Sequence, residues 1–231
     1  MTQKEILAPK VQCVGFIMDG NRRFAIENNQ TERWGHTKGK EKFLEVMDWV
    51  KAENIPHAIF YAFSTENWKR EKEEVEHLMS LFRGLLVQIK KESRDKDFNI
   101  RIVGRKEDLP IDIQEQIKDL ENTTIENSNS TIWIAISYGG RAEILSAVKG
   151  LVKTKEEINE DNFVKFLWTA GMPDPDIIIR TSGENRLSNF LPWQSVYSEL
   201  FFIKTHWPAF TKAEFMGILE EYANRERRIG R

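Results

Sequence analysis

The chain has 231 residues, enough for one substantial core and too many for a small scaffold held by disulfides or a metal. Its 34 Lys and Arg nearly balance 36 Asp and Glu, giving a formal net charge of -2, so no global positive field marks a nucleic-acid partner. A hydrophobic content of 40% with seven Trp excludes disorder, and the single cysteine, Cys13, excludes an internal disulfide and favours the reducing cytoplasm. No run of about 18 apolar residues occurs, and the start MTQKEILAPK lacks a signal-peptide core. Any membrane contact is therefore expected to be peripheral.

In chain order, Val11 to Met18 reads as a strand, and Asp19-Gly20-Asn21-Arg22-Arg23 follows it where a helix begins. His36 to Ala52 has helical period, with His36 expected to open that helix. A second strand, Ala58 to Phe63, leads into Ser64-Thr65-Glu66-Asn67-Trp68-Lys69-Arg70. The helix from Glu73 to about Lys91 carries Val75, Leu78, Met79, Phe82, Leu85, Leu86 and Ile89 on one stripe, which is either core or the wall of an apolar groove. Ile100 to Val103 is a third strand. The polar stretch Glu121 to Thr131 connects a helix to the fourth strand, Ile132 to Ile136, after which comes Ser137-Tyr138-Gly139-Gly140-Arg141. The fifth strand, Ile177 to Ile179, precedes Arg180-Thr181-Ser182-Gly183-Glu184-Asn185-Arg186, and Leu200 to Ile203 is the sixth. A last helix, Ala213 to Arg228, ends in Arg225, Arg227 and Arg228, where cations suit a helix C-terminus.

Strands separated by helices imply crossovers and a mainly parallel sheet covered on both faces. The expected fold is α/β, one domain over residues 1–231, with residues 1–10 flexible. Ligands of such sheets bind beyond the carboxyl ends of the strands, where four of these loops gather Arg, Asp, Ser and Asn. Asp19 to Arg23 combines a carboxylate, a glycine and two guanidinium forks at a helix N-terminus, which suits a diphosphate and its Mg²⁺. Arg180, Arg186 and Ser188 offer a second anion site, competing with simple pairing to Glu184. Gly35-His-Thr-Lys-Gly39-Lys40 fails as a Walker A loop because it is one residue short between the glycines and has Glu41 in place of Ser or Thr. No GxGxxG follows the first strand and no GxSxG elbow is present, which weakens nucleotide hydrolysis, dinucleotide redox and serine hydrolysis.

The motifs FIMDGNRRFA, GHTKG, YAFSTENWKR, YGGR, IIIRTSGENRLSNFLPWQSVYSELFF and RERRIG occur in this order from about Val14 to Gly230. Together they resemble the cis-prenyltransferases, the undecaprenyl and dehydrodolichyl diphosphate synthase family. The resemblance implies condensation of isopentenyl diphosphate with an allylic diphosphate, farnesyl or geranylgeranyl, to a Z-polyprenyl diphosphate. It assigns Asp19 and Glu199 to Mg²⁺, and Gly20, Asn21, Arg22, Arg23, Phe24 and His36 to the allylic diphosphate. Arg180, Arg186, Leu187 and Ser188 fall to isopentenyl diphosphate, and Asn67, through a water or Ser64, to proton removal. Thr65, Glu66, Trp68 and Arg70 belong to the same substrate loop. The resemblance also implies a hydrophobic tunnel, lined by the Glu73 helix and Ala62, and a homodimer in which Arg228 and Gly230 reach the neighbour's site. Glu32 stands where the family usually has a diphosphate-binding Arg, Cys13 where His is common, and Ala209 where an acid is common. Two other classes compete: a non-catalytic polyprenyl-diphosphate-binding subunit, and a phosphate-ester hydrolase that uses the cationic rim alone.

Overall fold

The structure, a computed structural model, describes residues 10–96, 98–123 and 130–225. Among these, six strands form one sheet: β1 (Cys13–Ile17), β2 (His57–Ser64), β3 (Phe98–Val103), β4 (Ser130–Tyr138), β5 (Ile177–Arg180) and β6 (Glu199–Phe202). Their spatial order is β3-β4-β2-β1-β5-β6, and every neighbouring pair is parallel. The described helices are α1 (Asn21–Glu27), α2 (Glu32–Ala52), α3 (Lys72–Lys96), α4 (Ile111–Thr123), α5 (Gly140–Thr154), the short α6 (Glu160–Phe163) and α7 (Lys212–Asn224).

Alternation along the strands decides which face each residue fills. Val14 and Phe16 of β1, Ala58 and Phe60 of β2, and Ile132, Ile134 and Ile136 of β4 share one core with α2, α3, α4 and α7. Cys13, Ile17, Ile59, Trp133 and Ile178 point to the other face, against Phe190 and Leu191, and α5 packs beyond them. The Cys13 thiol is fully buried in that second core, and burial pushes its pKa up. β1 connects to β2 on one side while β5 lies on the other, so the order of strand addition reverses between β1 and β5. That switch point opens a crevice at the carboxyl ends of both strands.

Several boundaries differ from the sequence expectation. β1 begins at Cys13 because the backbone N–H groups of Gln12 and Cys13 are both taken by the Asp176 carboxylate, at 2.7 and 3.2 Å. α2 begins at Glu32, not at His36: Thr31 caps it by accepting the Trp34 N–H, so His36 sits in the second turn. Ser130 and Thr131 already belong to β4, and Glu121 to Thr123 still belong to α4. α7 stops at Asn224, with Arg225 in extended conformation. The expectations placed on residues 1–9, on Arg227 and on the Arg228-Ile229-Gly230 tail lie outside the described residues.

Candidate active site

Gly20 starts the site. It holds φ at 106°, and a Cβ there would lie 2.6 Å from Ser182 Oγ and 2.7 Å from His206 Nδ1. Only glycine fits both the conformation and the space. This turn presents the N-terminus of α1, and Asp19, Gly20, Asn21, Arg22, Arg23, His36 and Arg70 line a cavity of about 350 Å³ beside it. Arg23 is fixed by the Ser182 carbonyl at 2.9 Å, Glu184 at 3.3 Å and Asp19 at 3.2 Å. Arg22 reaches Glu32 at 2.7 Å, and Arg70 reaches Glu74 at 2.8 Å. Asn21 is wedged against Gly35 and Gly39 of α2, whose missing side chains admit it, and its Oδ1 is buried without a partner. Gly39 of the GHTKG motif therefore serves helix packing against the anion cradle.

A second cavity, about 240 Å³, is lined by Asp19, Asn21, His36, Ser64, Asn67, Arg70, Arg180 and Ser188 among others. Arg180, only 3% exposed, donates to Asp19 Oδ2 at 2.7 Å, to Ser188 Oγ at 2.7 Å and to the Arg186 carbonyl. Burial alone would raise the Asp19 pKa, but the bond and charge of Arg180, with Arg23, outweigh it and hold the carboxyl below its usual range. Asp19 is thus an anion shared by both cavities. Asn67 Oδ1 accepts the Ser64 N–H at 2.9 Å, and the Ser64 hydroxyl accepts in return from the Asn67 backbone, closing the short 3-10 turn Thr65–Lys69. Trp68 supports this turn by donating to Ser137 Oγ at 2.9 Å and packing edge-on to Phe63. Thr65 donates to Glu66, which is tied across to Asn189 at 2.9 Å. Ser188, Asn189 and Leu191 have φ between 49° and 65°, a run of left-handed residues that bends this loop back toward Arg180.

A third, apolar cavity of about 80 Å³ adjoins the other two through Met18, Asn21 and His36. Ala62 of β2, Phe43 of α2, and Leu78, Leu81, Phe82 and Leu85 of α3 line it. The α3 stripe therefore divides: Leu78, Phe82 and Leu85 face the cavity, while Met79, Leu86 and Ile89 pack into the core without lining it.

Not every expected residue converges. Glu199 is the first residue of β6, in register with Ile177, whereas Asp19 lies beyond Ile17, in register with Arg180. Roughly 10 Å of strand separates the two ends. Glu199 pairs with Arg225 there. Phe24 stacks on Trp34, with ring centroids 5.4 Å apart, and lines none of the three cavities. Arg186 is exposed and held by Glu184 at 2.5 Å, and Leu187 packs on the second core. Arg141 contributes only its backbone N–H, given to Asn189.

Two residues join the site without having been singled out in the sequence. Glu74 lies 3.8 Å from His36 Nε2 and 3.9 Å from Arg22, besides its bond to Arg70, and so links three cradle residues. The Arg70/Glu74 spacing of four was its one local signal. His206 joins Ser182 Oγ at 2.7 Å to Glu27 at 2.9 Å, bridging the two anion loops, while the Trp207 N–H donates to the Asp19 carbonyl at 3.0 Å. Its partners are distant in sequence, so no local pattern announces it. Ser182 is buried and lines none of the three cavities, so this Ser–His–Glu chain braces the loops and has no access to a substrate. Among the described residues no group of three or more His, Cys, Asp or Glu forms a metal cluster. A metal here would take Asp19 and oxygens of a bound anion, a pattern that suits Mg²⁺.

Residues 17–230 match the prenyltransferase family model described as undecaprenyl diphosphate synthase. A tritrans,polycis-undecaprenyl-diphosphate synthase (geranylgeranyl-diphosphate specific) from Thermoplasma volcanium is 44% identical over 96% of this chain and 90% of its own. An isoprenyl transferase from Thermotoga maritima is 45% identical over 95% of this chain and 96% of its own. The crystal structure of lavandulyl diphosphate synthase from Lavandula x intermedia, in complex with dimethylallyl diphosphate, superposes with a TM-score of 0.91 at 30% identity. That match covers 96% of this chain and 99% of the other.

Proposed function

Given that this chain belongs to the undecaprenyl diphosphate synthase family of prenyltransferases, we propose that it is a cis-prenyltransferase. It extends an allylic diphosphate, farnesyl or geranylgeranyl, with isopentenyl diphosphate to a Z-polyprenyl diphosphate, the precursor of a glycosyl carrier lipid. The observation that carries this reading is the single carboxylate, Asp19, set between two cationic cavities that both open onto an apolar one. Two diphosphates and a prenyl tail ask for that arrangement.

In this reading the allylic diphosphate sits on the α1 N-terminus with Arg22, Arg23 and Arg70, and isopentenyl diphosphate sits at Arg180 and Ser188. The allylic carbon–oxygen bond breaks and the diphosphate leaves with the electron pair. Helix N–H groups and guanidinium forks meet the charge that develops, which is where they lower the barrier most. The isopentenyl double bond attacks the allylic carbon, forming the new carbon–carbon bond and leaving a cation, and loss of a proton restores a double bond. An amide is not a base, so Asn67 orients while the proton passes along the Ser64 hydroxyl to the released diphosphate. Mg²⁺, held by Asp19 with substrate oxygens, would supply further charge neutralisation of the leaving group.

The protein is further proposed to act as a homodimer. An exposed apolar stripe on α5, Leu145, Val148 and Val152, and exposed Val196, Tyr197 and Leu200 near β6 support a self-association face. Among the described residues no helix is long and apolar enough to cross a membrane, and delivery of a lipid product is proposed to use peripheral contact. The test is incorporation of radiolabelled isopentenyl diphosphate into butanol-extractable product with geranylgeranyl or farnesyl diphosphate as primer. Asp19→Asn, which keeps the shape and removes the charge, is expected to lower turnover about 10²- to 10³-fold, and chelation of Mg²⁺ to abolish it. Near-normal turnover in Asp19→Asn would remove Asp19 from the chemistry.

A further inference from the structure

Arg22 separates two cavities of opposite character. On one side is the cradle shared with Arg23 and Arg70. On the other is an open cavity of about 610 Å³ lined by Glu32, Glu71, Glu73 and Glu74, with Arg33, His36 and His77. The Arg22 guanidinium is turned to the acidic side, with Nη2 at 2.7 Å from Glu32 and Nη1 at 3.9 Å from Glu74. Hydrogen bonding to Glu32 is the leading cause that raises the Arg22 pKa. Glu74 has other work, since Arg70 and His36 also face it. Among the described residues Glu32 forms an ion pair with Arg22 alone.

We infer that Glu32 is a specificity-determining residue that sets primer affinity by competing with the allylic diphosphate for Arg22. Glu32 takes the Nη2 corner of the guanidinium, so those N–H groups serve either Glu32 or a diphosphate in the cradle. Loading the cradle therefore exchanges one protein carboxylate for a ligand oxygen. Both Arg22 and Glu32 are about half exposed, which keeps the competing pair weak and the exchange reversible. Glu32 occupies the first turn of α2, where the helix N-terminus favours a carboxylate, so its position is stable when Arg22 leaves. The inference rests on the proposed activity only in naming the cradle's ligand as an allylic diphosphate.

The consequence is a gain of affinity on removing an acid, an effect that structural damage does not produce. Glu32→Gln is expected to tighten the cradle's ligand about two- to fivefold and to lower the primer KM by the same factor. Its kcat and its KM for isopentenyl diphosphate stay unchanged. In an Arg22→Gln background the same substitution has no effect, because the residue it acts through is gone. Titration calorimetry with inorganic diphosphate reads the cradle in all four proteins independently of prenyl transfer, and primer kinetics read it in the reaction. If wild-type protein elongates no primer while Glu32→Gln still tightens inorganic diphosphate through Arg22, the proposed activity fails and this inference stands. Unchanged or weaker binding in Glu32→Gln overturns the inference, and so does a gain that persists without Arg22.

Discussion

His36 carries a ring nitrogen buried without a hydrogen-bond partner, in a cavity it shares with Asp19, Arg22, Arg23 and Arg70. Burial pushes its pKa down to about 4, with Arg70 and His77 adding to the fall and Glu74 and Glu32 opposing it. It is therefore neutral in the folded protein at physiological pH. The unfolded chain takes up a proton near the ordinary value of 6.5, whereas the folded protein resists until about 4. Between these values the unfolded state binds more protons, so stability present above pH 6.5 is lost as the pH falls toward 4, by up to about 3 kcal/mol. His36→Asn should flatten that slope. Denaturant midpoints at pH 7.5 and 5.0, wild type against variant, measure it, and equal pH dependence in both would contradict the assignment.

At the scale of elements, the parallel sheet and its loops were legible because strand-like runs alternate with helical period and end in polar breaks. The Asp19 to Arg23 and Ser64 to Arg70 loops fall where that pattern put them, since each directly follows a strand and the chain has little freedom between. Glu199 directly precedes the apolar run Leu200 to Ile203 and opens β6, because that run does not say where pairing starts. The start of α2 carried a readable cap, Thr31 before an acidic first turn, which the apolar period obscured. Phe24, expected beside the allylic diphosphate, stacks on Trp34 of the next helix, a partner no local pattern announces. On α3, one stripe serves both core and cavity, and only the packed structure separates them. Leu85, at 7% exposure, stands on the cavity side. Leu85→Ala should cost about 2–3 kcal/mol of stability and shift products to longer chains. Chromatographic product lengths check this, and an unchanged distribution would exclude Leu85 from the tunnel wall.

For the whole molecule, the position of β1 between β2 and β5 brings a carboxylate from the loop after β1 and an arginine at the end of β5, 161 residues apart, to a 2.7 Å contact. That junction makes one site of two anion cradles, and it is braced by His206, bonded to Ser182 and Glu27, and by the Trp207 N–H, bonded to the Asp19 carbonyl. A near-neutral chain thereby concentrates cations at a single rim, which composition alone does not reveal. The most direct test counts diphosphate released per isopentenyl unit incorporated, with both substrates together and with each alone. A joined site predicts one diphosphate per unit, released only when primer and isopentenyl diphosphate are both present. Release from the allylic substrate alone at a comparable rate, without incorporation, would show a hydrolase and contradict the coupling of the two cradles.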